Sequence, residues 1–191
     1  MILLTFDDCR PAEWAGIIPV MARLGIRATF YVSNHETLDS AGWAQLDELK
    51  DAGHSIQFHG FRHLNASKAT DLESYIQVEI VPGIEAMYRH SFDPTHFAYP
   101  YGHWTEASHK KLLPFFTSLR TLNAVNPMPY ERIWGGFDWD TRKHDATVAK
   151  SVGPGGITPI VMHRPDPARL VALASGRADA FVTVEDIKWP R

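Results

Sequence analysis

Short apolar runs and stretches of helical periodicity alternate about seven times along the 191 residues, and this alternation restricts the fold more than any other feature. Residues 2–6 are apolar and end on two acids, which reads as a buried strand. Trp14, Ile17, Ile18, Met21 and Leu24 then recur at helical spacing, with Gly25 placed as a C-cap. Residues 26–32 and 55–58 read as the second and third strands. Between them Ser40 caps a helix that carries Trp43, Leu46 and Leu49 on one face and ends at Gly53. Residues 70–90 read as a long helix that Pro82 kinks or divides. Further strands are expected at 95–99, at 115–122, weakly from Ile133, at 157–162 and at 180–184, with helices at 106–113, 141–150 and 167–175. Proline, asparagine and glycine make loops of 123–130 and 153–156.

Strands that alternate with helices form a parallel sheet, either open and doubly wound or closed into a barrel. In both forms the site lies at the C-terminal ends of the strands. No repeat or linker divides the chain, so a single domain over 1–191 is expected. A composition of 45% hydrophobic and 12% aromatic residues supplies a core and argues against disorder. A net charge of -3 lacks the broad basic footprint of a nucleic-acid or anionic-lipid binder. With Cys9 alone, the chain has no intrachain disulfide and no cysteine-based zinc-finger or iron–sulfur site. No apolar run reaches 18 residues, and the opening run meets Asp7-Asp8 too early for a signal peptide, so a cytoplasmic protein without a membrane partner is expected. The sequence leaves the oligomeric state open.

Ten histidines, several beside aspartates, hint at metal or acid–base chemistry. Asp7 and Asp8 follow the first strand, His59 and His63 the third, and His163 the strand 157–162. Two histidines four apart can turn both rings to one side, and Asp8 completes a two-histidine, one-carboxylate set suited to zinc. No fourth protein ligand is evident, which leaves a position for water and favours catalysis over scaffolding. Successive side chains of a strand point to opposite sides, so Asp7 and Asp8 have different roles. The bland alternatives are an Asp-Asp turn or cap and a histidine pair on the surface or in the core.

In chain order, Thr5-Phe6-Asp7-Asp8, His59-Gly60-Phe61-Arg62-His63, Phe97-Ala98-Tyr99-Pro100-Tyr101-Gly102 and Val161-Met162-His163 resemble the motifs of the polysaccharide deacetylase family, also called the NodB homology domain or carbohydrate esterase family 4. The resemblance implies an α/β fold, a distorted (β/α) barrel of about seven strands related to TIM barrels. It implies a zinc-dependent hydrolase that removes an N-acetyl group, commonly from an amino sugar, with cobalt or nickel as alternative metals. By position Asp8, His59 and His63 hold the metal, Asp7 is the general base, His163 the general acid, and the Tyr101 backbone N–H helps bind the oxyanion. The substrate is then a small molecule or an oligosaccharide.

Ala98 stands where family members often carry an arginine that orients the catalytic aspartate, and Arg132 is a candidate to supply that cation from elsewhere. Asp138-Trp139-Asp140 is the nearest match to the family's fourth motif, at a different spacing, so Trp139 is either a pocket wall or core. Pro100 and Trp104 are candidate supporting residues; Trp104 and Tyr101 suit a sugar-stacking wall or ordinary packing. Cys9 follows the double aspartate and reads as a small packing residue rather than a ligand. His54, His96 and His103 receive no role, and His35, His90, His109 and His144 are expected to be exposed. Two alternatives remain: hydrolysis of another carbon–nitrogen bond, such as a formamide or a ring amide, and a metal- and sugar-binding protein without catalysis.

Overall fold

The computed structural model describes residues 1–122, 132–138, 157–175 and 181–189. Among the described residues there are eight strands: β1 (Ile2–Asp8), β2 (Thr29–Val32), β3 (Ser55–Phe58), β4 (His96–Ala98), β5 (Ser118–Leu122), β6 (Ile133–Asp138), β7 (Thr158–Met162) and β8 (Phe181–Val182). β1 through β7 follow one another in parallel, and β1 pairs with both β7 and β2, which closes a seven-stranded ring. The open doubly wound alternative is thereby set aside. Only the second half of β1 meets β2, through Thr5↔Thr29 to Asp8↔Val32. The short β8 fills the gap beside Ile2 and Leu3.

The helices are α1 (Pro11–Gly16), α2 (Ile18–Leu24), α3 (Ser40–Asp51), α4 (Leu72–Tyr75), α5 (Val81–Arg89), α6 (Glu106–Leu112) and α7 (Pro167–Ala174). The long helix expected over 70–90 is divided, because a π turn at Ile76–Ile80 separates α4 from α5. Pro82 sits in the first turn of α5, where its missing N–H costs no hydrogen bond, so the break falls one turn ahead of it. The helix expected at 141–150 and the loops at 123–130 and 153–156 lie outside the described residues.

Period-two alternation divides the strand residues between two apolar layers. Ile2, Leu4 and Phe6 face outward and pack with Trp14, Met21 and Leu46 of the helices. Leu3, Tyr31, Ala98, Trp134 and Val182 form a second cluster from five different strands, which only a barrel interior brings together. Polar side chains share that interior, and several are hydrogen-bonded there. His96 Nδ1 lies 2.8 Å from Ser118 Oγ, which also accepts from Trp134 Nε1 at 3.2 Å. Gln57 Oε1 accepts from the backbone N–H groups of Thr95 and His96. Trp189 stacks on Trp134 and donates to the Val184 carbonyl, plugging the end of the barrel where the strands begin. The opposite end is left for chemistry. No described helix is long and apolar enough to cross a membrane.

His35 and His109 are buried, contrary to the exposure expected from their polar sequence neighbours. His35 is enclosed by the rings of Trp43, Phe58 and Phe61, and His109 meets Trp104 edge-on. His90 is exposed and stacks on Trp43 with a centroid distance of 3.9 Å, while His144 lies outside the described residues.

Burial holds His35, His54 and His96 down at about 4, against an ordinary value of 6.5. The unfolded chain therefore takes up protons between about pH 6.5 and 4 that the folded chain does not, so stability is full above this window and falls as the pH drops through it. A urea midpoint measured from pH 7.5 down to 4.5 is expected to decline steadily, with a combined loss on the order of several kcal/mol. A midpoint flat across that range would contradict the buried neutral state of these rings.

Candidate active site

β1 ends in the two aspartates. Asp7 points into the barrel and is 1% exposed, while Asp8 adopts φ 89° at the rim. His59 leaves β3 buried, and its backbone N–H donates to the Val32 carbonyl, extending the β2–β3 ladder by one residue. The loop from His59 to His63 is no helical turn, since Gly60 at φ 91° and His63 at φ 62° fold it back on itself. This brings His63 Nε2 to 3.1 Å from His59 Nε2 and 3.5 Å from Asp8 Oδ1, with His59 Nε2 3.9 Å from the same oxygen.

These three separations bracket the edge of a tetrahedron with metal–ligand bonds of about 2.0–2.1 Å, which is about 3.4 Å. His59 Nδ1 donates to the Ala98 carbonyl at 2.8 Å, which fixes the tautomer and leaves the Nε2 lone pair facing the other two atoms. Burial pushes both imidazoles below their ordinary range, and the neighbouring His63 lowers His59 further, so the neutral, ligating form is favoured. The donor set fits a divalent cation of the zinc type. Cys9 is not among these atoms; its Sγ rests 4.0 Å from Thr37 Oγ1, and burial raises its thiol.

Asp7 is held from the side by a residue the sequence reading did not single out. Arg120 Nη2 donates to Asp7 Oδ2, and both side chains are essentially inaccessible to solvent. Arg120 comes from β5, directly beside Ala98 of β4 in the sheet register. The small Ala98 leaves the interior open to it, and the guanidinium lies over the Tyr31 ring at 5.1 Å. Gly136 clears the other side, since a Cβ there would collide with Val161 and stand 3.5 Å from Arg120 Cδ and Nη1. Asp7 Oδ1 is buried and accepts no hydrogen bond from the described residues, so one lone-pair face remains for a reactant.

Arg132 does not supply this cation. It precedes β6, at the end of the barrel opposite the aspartates, and among the described residues its Nη2 reaches the Leu113 carbonyl at 3.5 Å. A six-residue strand of about 20 Å separates that end from the site.

His163 follows β7, and its Nδ1 is 3.8 Å from Oδ1 of Asp138, the last residue of β6. Asp138 thus stands beside His163, whereas Trp139 lies outside the described residues. Tyr101 sits at φ 61° in the turn Pro100–Gly102, 56% exposed, with its ring 4.6 Å from that of His63. Thr121 Oγ1 donates to the Gly102 carbonyl and ties this turn to β5. Pro100 is buried against Gly60, joining the turn to the histidine loop. Trp104 is half-buried, packs on the outer core and meets His109 of α6 edge-on. Asp8, His63 and Tyr101 are three of the six described non-glycine residues with positive φ, so backbone strain is concentrated at this end of the barrel.

A family model described as polysaccharide deacetylase matches residues 1–113. A deacetylase called T48, solved with substrate, is 26% identical with a TM-score of 0.69 over 97% of this chain and 88% of that one. A family 4 acetyl xylan esterase from Clostridium thermocellum, solved with a cobalt ion, is 16% identical with a TM-score of 0.71 over 97% of this chain and 88% of that one. A CE4 family pseudoenzyme, solved as a mutant, is 16% identical with a TM-score of 0.70 over 97% of this chain and 66% of that one. The last two likenesses bear on the fold alone. No curated protein matches the sequence.

Removing one partner of a buried ion pair leaves the other charge uncompensated, at a cost of about 3–5 kcal/mol. Arg120→Met is expected to lower unfolding stability by this amount, and Asp7→Asn added to it is expected to restore much of the loss. Arg132→Ala is expected to stay within about 0.5 kcal/mol of the parent. Equal effects of the two arginine substitutions in chemical denaturation would contradict the assignment of Arg120.

Proposed function

Because the chain belongs to the polysaccharide deacetylase family, we propose that it hydrolyses the N-acetyl group of an amino sugar or a similar small amide, releasing acetate and the free amine. The observation that carries this reading is the open Oδ1 of Asp7, buried and aligned by Arg120 beside three convergent ligand atoms. We assign Asp8, His59 and His63 as the residues that would hold one divalent cation, zinc by the donor set, with cobalt or nickel as substitutes. Such a cation supplies Lewis acidity, which polarises a carbonyl and makes water acidic enough to attack near neutral pH.

The chain's own groups then divide the proton transfers. Asp7 takes a proton from the attacking water at Oδ1, and Arg120 keeps the carboxylate from rotating towards the cation. Water oxygen forms its bond to the carbonyl carbon, and the Tyr101 backbone N–H, presented by the strained turn, donates to the developing oxyanion. His163, set beside Asp138, gives a proton to the amine nitrogen as the carbon–nitrogen bond breaks. Two protons move and no covalent enzyme intermediate is needed. The exposed Tyr101 ring offers an apolar face to a sugar at the rim.

With Arg120 in place, the alanine at 98 no longer argues for a protein that binds without catalysis. Hydrolysis of a formamide or a ring amide would use the same groups and differ only in the product released.

Asp7→Asn keeps the shape of the side chain and removes its basicity. It is expected to retain about one zinc per chain while acetate release from a panel of N-acetylated amino sugars falls by about 10²-fold or more. Metal is read by elemental analysis and acetate by an enzyme-coupled assay. Unchanged turnover in Asp7→Asn, or no acetate, formate or ammonia from the metal-loaded parent on any substrate, would overturn the proposal.

A further inference from the structure

Glu79 is fully buried on the π turn between α4 and α5, far in sequence from the motifs of the site. No described cation side chain is bonded to its carboxylate. Instead the carboxylate turns towards the backbone of the histidine loop: Oε2 accepts from the Arg62 N–H at 3.0 Å and Oε1 from the Leu64 N–H at 2.8 Å. These are the residues on either side of His63. The main-chain carbonyl of Glu79 also accepts from the Phe61 N–H at 3.2 Å. The Arg62 side chain turns away, pairing with Glu36 and lying over the Phe61 ring.

The surroundings are shaped for this contact. At φ 91°, Gly60 takes a conformation that favours glycine, and a Cβ there would collide with Glu79 Oε1. Gly83 of α5 lets the helix approach until a Cβ would collide with the Phe58 ring, bringing the π turn up to the end of β3. The π turn sets the glutamate's direction, since its extra residue shifts the inward-facing position. A carboxylate that replaces water with backbone N–H groups forms strong, charge-assisted bonds and fixes the loop that surrounds it.

We propose that Glu79 is a positioning residue for the metal ligand His63: its carboxylate is the template on which the loop from Gly60 to Leu64 folds, holding His63 at φ 62° with Nε2 facing Asp8 and His59 before any cation arrives. It touches neither substrate nor cation, and it acts through the backbone. The inference rests on the metal-site reading above, and its test separates the two.

Cobalt(II) affinity is measured by absorption titration for the parent, Glu79→Gln and Glu79→Asp, with circular dichroism as the check on folding. In Glu79→Gln an amide NH2 faces a backbone donor, so one of the two bonds is lost. Its cobalt affinity is expected to fall about 10–100-fold with the fold retained, and excess cobalt is expected to restore turnover. Glu79→Asp keeps the charge and is expected to recover part of the affinity. A parent that binds no cobalt contradicts the metal site itself; a parent that binds and a folded Glu79→Gln that binds equally well contradicts the role of Glu79. Should Glu79→Gln fail to fold, amide exchange in the metal-free parent decides. Protected Arg62 and Leu64 amides are expected, and amides that exchange freely until cobalt is added would show that the cation, not Glu79, orders the loop.

Discussion

The pairing of Asp7 with Arg120 inside the barrel is the constraint on which the rest of the site depends. Two charges removed from water are stable together only where their geometry is good and the surroundings do not compete. The barrel meets this by keeping its middle layer small and polarisable: Ala98 beside Arg120, Gly136 across from it, and the Tyr31 ring beneath the guanidinium. The pair separates the two adjacent aspartates into different tasks. Asp7 is bound to a fixed cation on one oxygen and open on the other, while Asp8 turns at the rim towards the histidines.

Around that pair, the site is assembled from strained loops resting on rigid strands. Asp8, His63 and Tyr101 each take a left-handed conformation that a side chain disfavours, and each is held by neighbours. Ser33 donates its N–H to the Asp8 carbonyl, the Glu79 carboxylate bonds both sides of His63, and Thr121 anchors the turn after Tyr101. The strain is therefore maintained by bonds within the protein. On the proposed function, this arrangement would present ligand atoms and a backbone N–H already directed, as catalysis by preorganised groups requires.

Much of this was legible in the sequence where the signal was local. The strand ends carrying Asp7, Asp8, His59, His63 and His163 follow from short apolar runs, and the parallel sheet follows from alternation with helices. What the sequence concealed depends on register and packing. Arg120 is a lone charge in a five-residue strand, and only the alignment Ala98↔Arg120 shows that it takes the place of an arginine on β4. Arg132, the candidate cation read from the sequence, lies at the wrong end of its strand. Glu79 falls within the helix read over 70–90, and a π turn that shifts a side chain inward leaves no mark in periodicity. His35 and His109 have polar neighbours along the chain and aromatic ones in space.

The most direct measurement is anomalous diffraction at the cobalt edge from crystals grown with cobalt(II). One peak is predicted, bounded by Asp8, His59 Nε2 and His63 Nε2, with Asp7 still on Arg120 and outside the coordination sphere. A peak elsewhere, no peak, or Asp7 drawn off Arg120 to become a ligand would contradict the division of roles between the two aspartates.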